Sequence, residues 1–332
     1  MELSEDELIA AIARLRSADE PGVVVGLGRD DAAVVEAGGA HVVLTTDLLV
    51  ERVHFDRSTI SAHDLGAKAI VVNVSDLAAM AASPRYALLG IGLPADVEAA
   101  WVMELYGGVA DACAEHAMTL VGGDTNRAGL VVLSVTAVGE VAPGRAVTRS
   151  GARVGDRIVV TGSLGAAAGG LALSDGTPAA LSEPWARALV DAHARPVARV
   201  GEAQVLARFG ASSMMDLSDG LTTDLARLCA ASGVGARIEL DAVPVAQALV
   251  EGATELAIDP LALALSGGED YELLATMAPE AVAAARAELR EVFGVALTDV
   301  GSIEETSGIV GVDASGTTAP LAPAGWDHFR TR

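Results

Sequence analysis

Several aspartates in this sequence end short apolar runs, and they are the residues best suited to chemistry. A carboxylate held where a strand or helix ends is a good ligand for a hard cation such as Mg²⁺, which prefers oxygen. A single aspartate of this kind could be an ordinary loop residue, but the pattern recurs along the whole chain. The aspartates concerned are Asp31, Asp47, Asp76, Asp124 and Asp216. Their recurrence predicts carboxylates gathered from several elements around metal and phosphate.

Two glycines precede one of these carboxylates in the segment 121–126, Val-Gly-Gly-Asp-Thr-Asn. Paired glycines allow a sharp turn and a close approach of the backbone to a ligand. We therefore expect a glycine turn with Asp124 at its tip, between an amphipathic helix and an apolar strand. An ordinary loop between helix and strand is the alternative.

Two further segments combine hydroxyl groups with carboxylates. The Thr-Thr-Asp segment 45–47 would offer oxygen ligands at the end of a strand, although threonine also favours strands on its own account. In the segment 215–220, Asp216 and Asp219 flank Ser218 where a helix is expected to begin. A helix N-terminus attracts phosphate oxygens. A simple N-cap at this point is the alternative.

Two further segments with candidate site residues lie in the last quarter of the chain. The segment 266–272, Ser-Gly-Gly-Glu-Asp-Tyr-Glu, places carboxylates directly after flexible glycines. The segment 325–329, Gly-Trp-Asp-His-Phe, holds two aromatic residues in a chain whose aromatic content is only 3%. Such aromatics would stack on a flat heterocycle, or else anchor the end of the chain on the core.

Composition and charge narrow the class of protein. The length of 332 residues predicts about two domains, and the 51% of hydrophobic residues supply a large core. The net charge of −23 argues against nucleic acid or an anionic membrane as a partner, since both require basic patches. The acidic N-terminus does not resemble a signal peptide, and no uncharged apolar run has membrane-spanning length. We therefore expect a cytoplasmic protein.

Hydrophobic periodicity distributes these residues over helices and strands. A capping box predicts a helix over Ser4–Ser17, and the segment 64–80 is predicted to be a helix. A hairpin is predicted within 32–46, with Asp47 closing its second strand, and a Gly-rich turn over 162–170. Both halves mix strands and helices without a long parallel βαβ series, which favours the α+β class.

The order and spacing of these segments resemble those of the thiamine-monophosphate kinases, a family of the PurM-like ATP-dependent superfamily. The segments that carry the resemblance are 30–33, 45–47, 73–80, 122–125, 216–220, 266–273 and 325–329. The resemblance implies transfer of the γ-phosphoryl group of ATP to thiamine monophosphate, at a site with several Mg²⁺ ions. It also implies a PurM-like α+β architecture, with an N-terminal domain over 1–145 and a C-terminal domain over 146–332, and a homodimer formed through the N-terminal sheets.

The same resemblance implies roles for individual residues. The metal ligands would be Asp31, Thr45, Thr46, Asp47, Asp76, Asp124, Asp216 and Asp219, with Asp47, Asp124 and Asp216 as the catalytic centre. The contacts to ATP would come from Tyr106, Gly123, Asp124, Arg149 and Ser218. The contacts to thiamine monophosphate would come from His54, Glu269 and Trp326. The chain departs from the family at Arg29, where a glycine usually precedes the paired aspartates.

Other readings of the sequence remain open. Among PurM-like ATP-dependent enzymes, selenophosphate synthetase usually needs a reactive cysteine near the N-terminus, whereas the first cysteine here is Cys113. The hydrogenase-maturation enzyme uses a C-terminal cysteine, and this chain ends in Thr331 and Arg332. The purine-pathway cyclo-ligase fits the segments 266–273 and 325–329 poorly. A non-catalytic module that senses ATP or thiamine phosphates is a further alternative, although a sensor need not keep every carboxylate cluster.

Overall fold

Two β-sheets, one in each half of the chain, form the framework of the structure. The computed structural model describes residues 4–13, 21–174 and 183–326. Within those residues, no helix combines the length and the apolar character that crossing a bilayer requires. Each sheet carries helices, and the helices and strands alternate irregularly along the chain, which confirms the α+β class predicted from the sequence.

The first sheet has six strands in the order β1-β2-β3-β6-β4-β5. The elements of this half are α1 (Glu5–Ala13), β1 (Val23–Val25), β2 (Ala33–Ala37), β3 (Ala40–Val50), α2 (Ala62–Ala79), β4 (Ser83–Leu93), α3 (Ala99–Glu115), β5 (Thr119–Arg127) and β6 (Val132–Val141). The strands β4 and β5 run parallel, and the other described neighbours are antiparallel. The helices α2 and α3 cover the inner face of this sheet.

The second sheet has seven strands in the order β13-β12-β9-β11-β7-β10-β8. The elements of this half are β7 (Arg157–Thr161), α4 (Ala166–Ser174), α5 (Pro184–Ala194), α6 (Val200–Arg208), β8 (Ser213–Asp216), α7 (Leu221–Ser232), β9 (Gly235–Glu239), α8 (Gln247–Leu256), α9 (Pro260–Ser266), β10 (Leu273–Met277), α10 (Pro279–Phe293), β11 (Leu297–Glu304), β12 (Gly308–Val312) and β13 (Thr318–Pro320). A short 3₁₀ helix follows β9. The domain boundary predicted at 145/146 falls between the two sheets and stays a prediction.

Helix α2 holds the two halves together. It begins after Ser61, whose hydroxyl accepts a hydrogen bond from the backbone N–H of Asp64 at 3.0 Å, as an N-cap should. It packs on β3, β6 and α3 of the first half, and it also contacts α5, α6 and β8 of the second half. Its polar side chains therefore point toward the junction between the sheets, where a charge needs a partner or a ligand.

The prediction of a glycine turn at 121–126 is wrong, because this segment forms the middle of strand β5. The two glycines serve close packing between strands: a Cβ atom on Gly123 would lie 1.9 Å from the carbonyl oxygen of Leu89 on β4. The register between β4 and β5 shifts at this level, between Ala87 and Leu88. Glycine permits a turn and a close strand contact equally well, so its presence alone could not distinguish them.

Other elements follow the sequence expectations with smaller differences. The hairpin is confirmed as β2 and β3, but β3 continues to Val50, so Asp47 lies inside the strand and does not close it. The capping box is confirmed by the backbone N–H of Ser4, which donates to Glu7 Oε2 at 2.8 Å. Helix α1 is described only to Ala13, so the predicted end at Ser17 lies outside the described residues. The second half of the predicted turn 162–170 belongs to α4.

Candidate active site

Three carboxylates from both halves of the chain converge between the sheets. Asp31 precedes β2, Asp76 lies on α2, and Asp216 ends β8. Carboxylate oxygens of these three residues lie within 4.8 Å of one another. We refer to Asp31, Asp76 and Asp216 as the acidic triad. Its members are separated in sequence by up to about half the chain, so the site exists only where the two halves meet.

Helix α2 positions two of the three carboxylates through neighbouring hydroxyl groups. Thr45 on β3 donates to Asp76 Oδ2 at 2.6 Å, and Ser75 on α2 donates to Asp216 Oδ2 at 2.6 Å. Consecutive residues on a helix point about 100° apart. Ser75 therefore reaches toward β8 while Asp76 faces β3. In this way α2 helps to fix the carboxylates of both Asp76 and Asp216.

Asp47 lies close to the acidic triad and to Asp219, so their charges interact. The backbone N–H of Asp47 donates to Asn73 Oδ1 at 3.0 Å, which ties β3 to α2. Burial, together with repulsion from Asp219 and then Asp31, raises the pKa of Asp47 to about 6. Burial and then the charge of Asp47 raise the pKa of Asp76. These carboxylates therefore repel one another while water is largely excluded.

The donor set fits a divalent cation. Asp31 Oδ2 is buried and has no hydrogen-bond partner among the described residues. Burial, and after it the charge of Asp31, raises the pKa of Asp216, which is 1% exposed. A cation bound by oxygen atoms of the acidic triad would satisfy the unpaired oxygen and remove the repulsion between the carboxylates.

Two arginines supply positive charge beside these carboxylates. Arg149 pairs with Asp31 through its guanidinium group, and its backbone N–H donates to Asp30 Oδ2 at 3.0 Å. Arg227 on α7 pairs with Asp219 and lies 3.1 Å from Asp224 Oδ1. Arg149 was expected at the site from the sequence, whereas Arg227 was missed.

Arg227 had a weak sequence signal that could have found it. It follows Asp224 by three residues on α7, so the two share one face of the helix. Asp224 is fully buried and accepts hydrogen bonds from the backbone N–H groups of Asp219 and Gly220 at 3.0 and 3.1 Å. The pair Asp224–Arg227 therefore shapes the loop that presents Ser218 and Asp219.

Two residues expected to contact substrate lie beside this loop. The backbone N–H of Glu269 donates to the carbonyl oxygen of Ser218 at 2.8 Å. The backbone N–H of Trp326 lies 3.3 Å from the carbonyl oxygen of Asp219, and the Trp326 side chain is half-buried. The remainder of the segment 325–329, from Asp327 onward, lies outside the described residues. Glu269 and Trp326 thus flank Ser218 and Asp219.

Four other expected site residues are not brought to the acidic triad. Thr46 points to the opposite face of the sheet from Asp47 and donates to the carbonyl oxygen of Val135 at 2.9 Å. Asp124 is exposed on β5 and accepts a hydrogen bond from Asn126 at 2.5 Å. The others are Gly123, also on β5, and Tyr106, which packs against the core of the first half. Because β6 and β4 separate β3 from β5, Asp124 lies about 14 Å across the sheet from β3.

His54 lies in the loop after β3. Its Nδ1 atom accepts a hydrogen bond from the backbone N–H of Val50 at 3.0 Å. The proton of the neutral ring is therefore on Nε2, which makes that atom a hydrogen-bond donor. A contact between His54 and substrate stays a prediction.

Comparisons with known proteins agree with the two-part architecture. Residues 29–141 match the family model "AIR synthase related protein, N-terminal domain", and residues 153–313 match the corresponding C-terminal domain model. The thiamine-monophosphate kinase of Aquifex aeolicus (strain VF5) is 37% identical over 90% of this chain and 92% of its own length. The thiamine-monophosphate kinase of Escherichia coli (strain K12) is 39% identical over 93% of both chains.

Solved structures extend the similarity to three dimensions. A structure described as AaThiL complexed with AMPPCP and TMP has a TM-score of 0.85 and 35% identity, and it covers 99% of this chain and 98% of its own. The hydrogenase maturation protein HypE in complex with ATP has a TM-score of 0.71 at 22% identity, over 92% of this chain and 90% of its own. The likeness to HypE shows a shared fold alone.

Proposed function

The chain belongs to the thiamine-monophosphate kinase family, and from this premise we propose how its acidic site performs the ATP-dependent phosphorylation of thiamine monophosphate. The observation that carries the proposal is the acidic triad of Asp31, Asp76 and Asp216, with its unpaired buried oxygen on Asp31. Donor and acceptor are both polyanions, so they repel each other and this negatively charged site. Such a site suits two phosphates only with cations between them.

We propose that the acidic triad and the neighbouring Thr45, Asp47 and Asp219 hold Mg²⁺. The family resemblance also assigns Thr46 and Asp124 to metal binding, and both lie on the opposite face of the sheet from the triad. Bound Mg²⁺ would neutralise charge on the phosphates of both substrates and align them for transfer. The protein's own contribution is rigidity. Hydrogen bonds from Thr45 to Asp76 and from Ser75 to Asp216 hold the carboxylates in place before ligands arrive.

The phosphates of ATP are proposed to meet Arg149 and Ser218. Arg149 lies beside Asp31, where its planar guanidinium group can donate to phosphate oxygens as it now does to the carboxylate. Ser218 precedes the N-terminus of α7, whose free N–H groups favour an anion. Contacts of ATP with Tyr106, Gly123 and Asp124 are part of the same proposal and rest on the family resemblance.

The thiamine end of the substrate is proposed to lie by Glu269, Trp326 and His54. The thiazolium ring is cationic and flat, so a carboxylate and an indole face both suit it. Burial would raise the pKa of Glu269, but the Lys68 charge and the His193 contact outweigh it and lower the pKa to about 2. Glu269 is therefore ionised at neutral pH. The acceptor phosphate is already deprotonated there, so transfer requires no strong general base.

We propose that the protein is a homodimer that pairs the outer faces of its first sheets, and that it works in the cytoplasm, where ATP is supplied. The outer face carries apolar side chains that water would otherwise contact: Leu48, Tyr86 and Leu88 are 52%, 48% and 40% exposed. Thr46 and Asp124 belong to the same face, so a partner would bury them as well. Large exposed apolar side chains on one sheet face favour association.

The decisive experiment incubates the purified protein with ATP, Mg²⁺ and thiamine monophosphate. We expect thiamine diphosphate and ADP in equal amounts, and no product when EDTA removes the metal. ADP without thiamine diphosphate would indicate another PurM-like ATP-dependent reaction. Binding of both substrates without any turnover would indicate a sensing module. Either result would overturn the proposed function.

A further inference from the structure

A lysine is buried in the middle of helix α2, next to a residue proposed to bind substrate. The Lys68 side chain is 1% exposed, although its ammonium group carries a charge. Lys68 Nζ donates to the main-chain oxygen of His193 at 2.9 Å and to Glu269 Oε2 at 3.1 Å. Burying an ammonium group is costly unless it is paired, so these contacts explain how Lys68 is tolerated. They do not explain why a charge is there at all.

The imidazole of His193 converges on the same carboxylate oxygen. His193 is 7% exposed, and its Nδ1 atom lies 3.0 Å from Glu269 Oε2. That nitrogen is buried and makes no hydrogen bond of good geometry with any described group, so its approach to Glu269 Oε2 is a close charge contact. No contact between described residues involves Glu269 Oε1, and the Glu269 side chain is 24% exposed. Contacts with Lys68 and His193 thus hold Oε2 inside the protein, while Oε1 remains available to a ligand.

The backbone around Glu269 is held in an uncommon conformation. Glu269 has φ 66° and Tyr271 has φ 50°, in the left-handed region that residues with a side chain rarely adopt. Such conformations persist where surrounding contacts over-determine them, and they cluster at ligand sites. Here the backbone N–H of Tyr271 donates to the carbonyl oxygen of Leu217 at 2.9 Å, and Asp270 accepts from the backbone N–H of Gly165 at 2.7 Å.

The three residues come from three separate elements in both halves of the chain. Lys68 lies on α2, His193 in the last turn of α5, and Glu269 in the loop before β10. The carbonyl group of His193 is one of those that a helix leaves unpaired at its C-terminus, where the helix dipole also favours a cation. Replacing a buried ion pair by apolar side chains often costs no stability. A buried charge that joins both halves at one carboxylate is therefore better explained by orientation than by stability.

We propose that Lys68 and His193 are positioning residues that hold Glu269 Oε2, so that Oε1 faces the cationic thiamine part of the substrate. This inference rests on the proposed function, in which Glu269 contacts that part of thiamine monophosphate. Without the ammonium group, Glu269 would be a largely buried carboxylate that has lost its main charge partner, and it would protonate or turn away. Binding of thiamine monophosphate would then weaken, while ATP, held at the acidic triad and Arg149, would not be affected.

The test measures KM for each substrate and kcat in the variants Lys68→Met, His193→Ala and His193→Asn, together with their melting temperatures. We expect Lys68→Met to raise KM for thiamine monophosphate at least about 10-fold, or ~1.4 kcal/mol, with KM for ATP within about twofold. His193→Ala should act in the same direction. His193→Asn should recover part of the loss, because its amide can donate near the position of Nδ1.

A double variant shows whether Lys68 acts through Glu269. If it does, Lys68→Met combined with Glu269→Gln should raise KM for thiamine monophosphate no further than Glu269→Gln alone. Arg157→Met is the matched control, since it breaks a partly buried ion pair with Asp299 in the second sheet, away from the site. It should change stability without separating the two KM values.

Three results would overturn the inference: an unchanged KM for thiamine monophosphate in folded Lys68→Met, an equal rise of both KM values, or additive effects in the double variant. If Lys68→Met does not fold, the two His193 variants decide, and equal KM values in His193→Ala and wild type would count against it. Wild-type protein that fails to make thiamine diphosphate would contradict the proposed function. Active wild type with unaffected variants would contradict the inference alone.

Discussion

At the scale of single residues, repulsion between the carboxylates of the site is opposed by the hydrogen bonds and ion pairs that hold them in place. Carboxylate oxygens of Asp31, Asp76 and Asp216 lie within 4.8 Å of one another where little water reaches them. Without a cation, this arrangement costs free energy. Hydroxyl groups and two arginines offset part of that cost. The remaining repulsion is a driving force for metal binding, and it makes both activity and stability sensitive to single carboxylates.

The first prediction concerns Asp47, which neighbours the acidic triad. Asp47→Asn removes a ligand charge while keeping the side-chain shape, so turnover should fall by at least about 100-fold with the fold intact. Asp111→Asn is the control, because Asp111 is an exposed carboxylate on α3, and its turnover should match wild type. Asp124→Asn belongs in the same series: the family resemblance predicts a similar loss, whereas its exposed position on β5, away from the acidic triad, predicts little change. Near-normal turnover of Asp124→Asn at saturating Mg²⁺ would remove Asp124 from the ligand set.

The second prediction concerns stability against pH. Burial, then repulsion from Asp31, raises the pKa of Asp30 from 3.8 to about 7, and the pKa of Asp47 rises to about 6. Between about pH 4 and 7 the folded protein therefore binds more protons than the unfolded chain, so the free energy of unfolding falls as pH rises. The lowered pKa of Glu269 acts in the opposite sense, but only below its ordinary value of 4.5.

Melting temperatures in EDTA should accordingly fall between pH 5 and pH 7.5, and saturating Mg²⁺ should reduce that fall. Asp47→Asn should show a shallower fall than wild type, since it removes one of the titrating groups. A melting temperature that rises over this range in EDTA, or the same fall with and without Mg²⁺, would contradict the electrostatic description of the site.

At the scale of elements, the position of α2 determines the site, and glycines determine how close α2 lies to α3. A Cβ atom on Gly66 would lie 2.0 Å from the carbonyl oxygen of Leu105, and one on Gly108 would lie 1.8 Å from that of His63. The backbones of the two helices are therefore in direct contact. This contact sets the depth at which α2 presents Lys68 and Asp76.

The third prediction tests that contact with two neighbouring glycines on α3. Gly108→Ala should destabilise the protein by about 1–3 kcal/mol, because backbone atoms cannot move aside as a flexible side chain can. Gly107→Ala should be neutral or stabilise by up to about 1 kcal/mol, because its Cβ would lie 3.7 Å from the nearest described atom and alanine favours helices. Denaturant unfolding measures both. Equal stabilities of the two variants would mean that the helices can separate without cost.

At the scale of the whole molecule, each half of the chain supplies part of the acidic site. The first sheet and α2 contribute Asp31, Asp47 and Asp76, and the second contributes Asp216 and Asp219. Neither half alone holds the acidic triad. The outer face of the first sheet takes no part in the triad, and its exposed apolar residues suit contact with a second copy of the chain.

The fourth prediction concerns that outer face. Wild-type protein should have twice the mass of one chain in light scattering at micromolar concentration. Leu88→Glu should halve that mass, since a charge in the middle of an apolar interface is unpaired and desolvated. Met103→Glu is the control, because Met103 is 71% exposed but lies on α3, on the other side of the sheet. A monomeric wild type, or dissociation by both variants, would count against the outer face as the interface.

The sequence by itself determined the chemical class of the site and much of the secondary structure. Aspartates after apolar runs indicated metal and phosphate, and the order of the motifs indicated the family. The helix predicted over 64–80 is α2, Ala62–Ala79, and the hairpin predicted within 32–46 is formed by β2 and β3. These features depend on local periodicity, capping and spacing, which are properties of neighbouring residues and can be read without the fold.

Only the tertiary structure decided which residues meet. It brought Asp31, Asp76 and Asp216 together as the acidic triad. It also showed that the segment 121–126, predicted to be a glycine turn, belongs to an edge strand. It also brought Lys68 to Glu269, 201 positions later in the sequence. Contacts of this kind depend on how helices and sheets pack across both halves, and no local pattern encodes that packing. The physical reason is that burial and repulsion between charges act through space, so their outcome is known only once the halves are assembled.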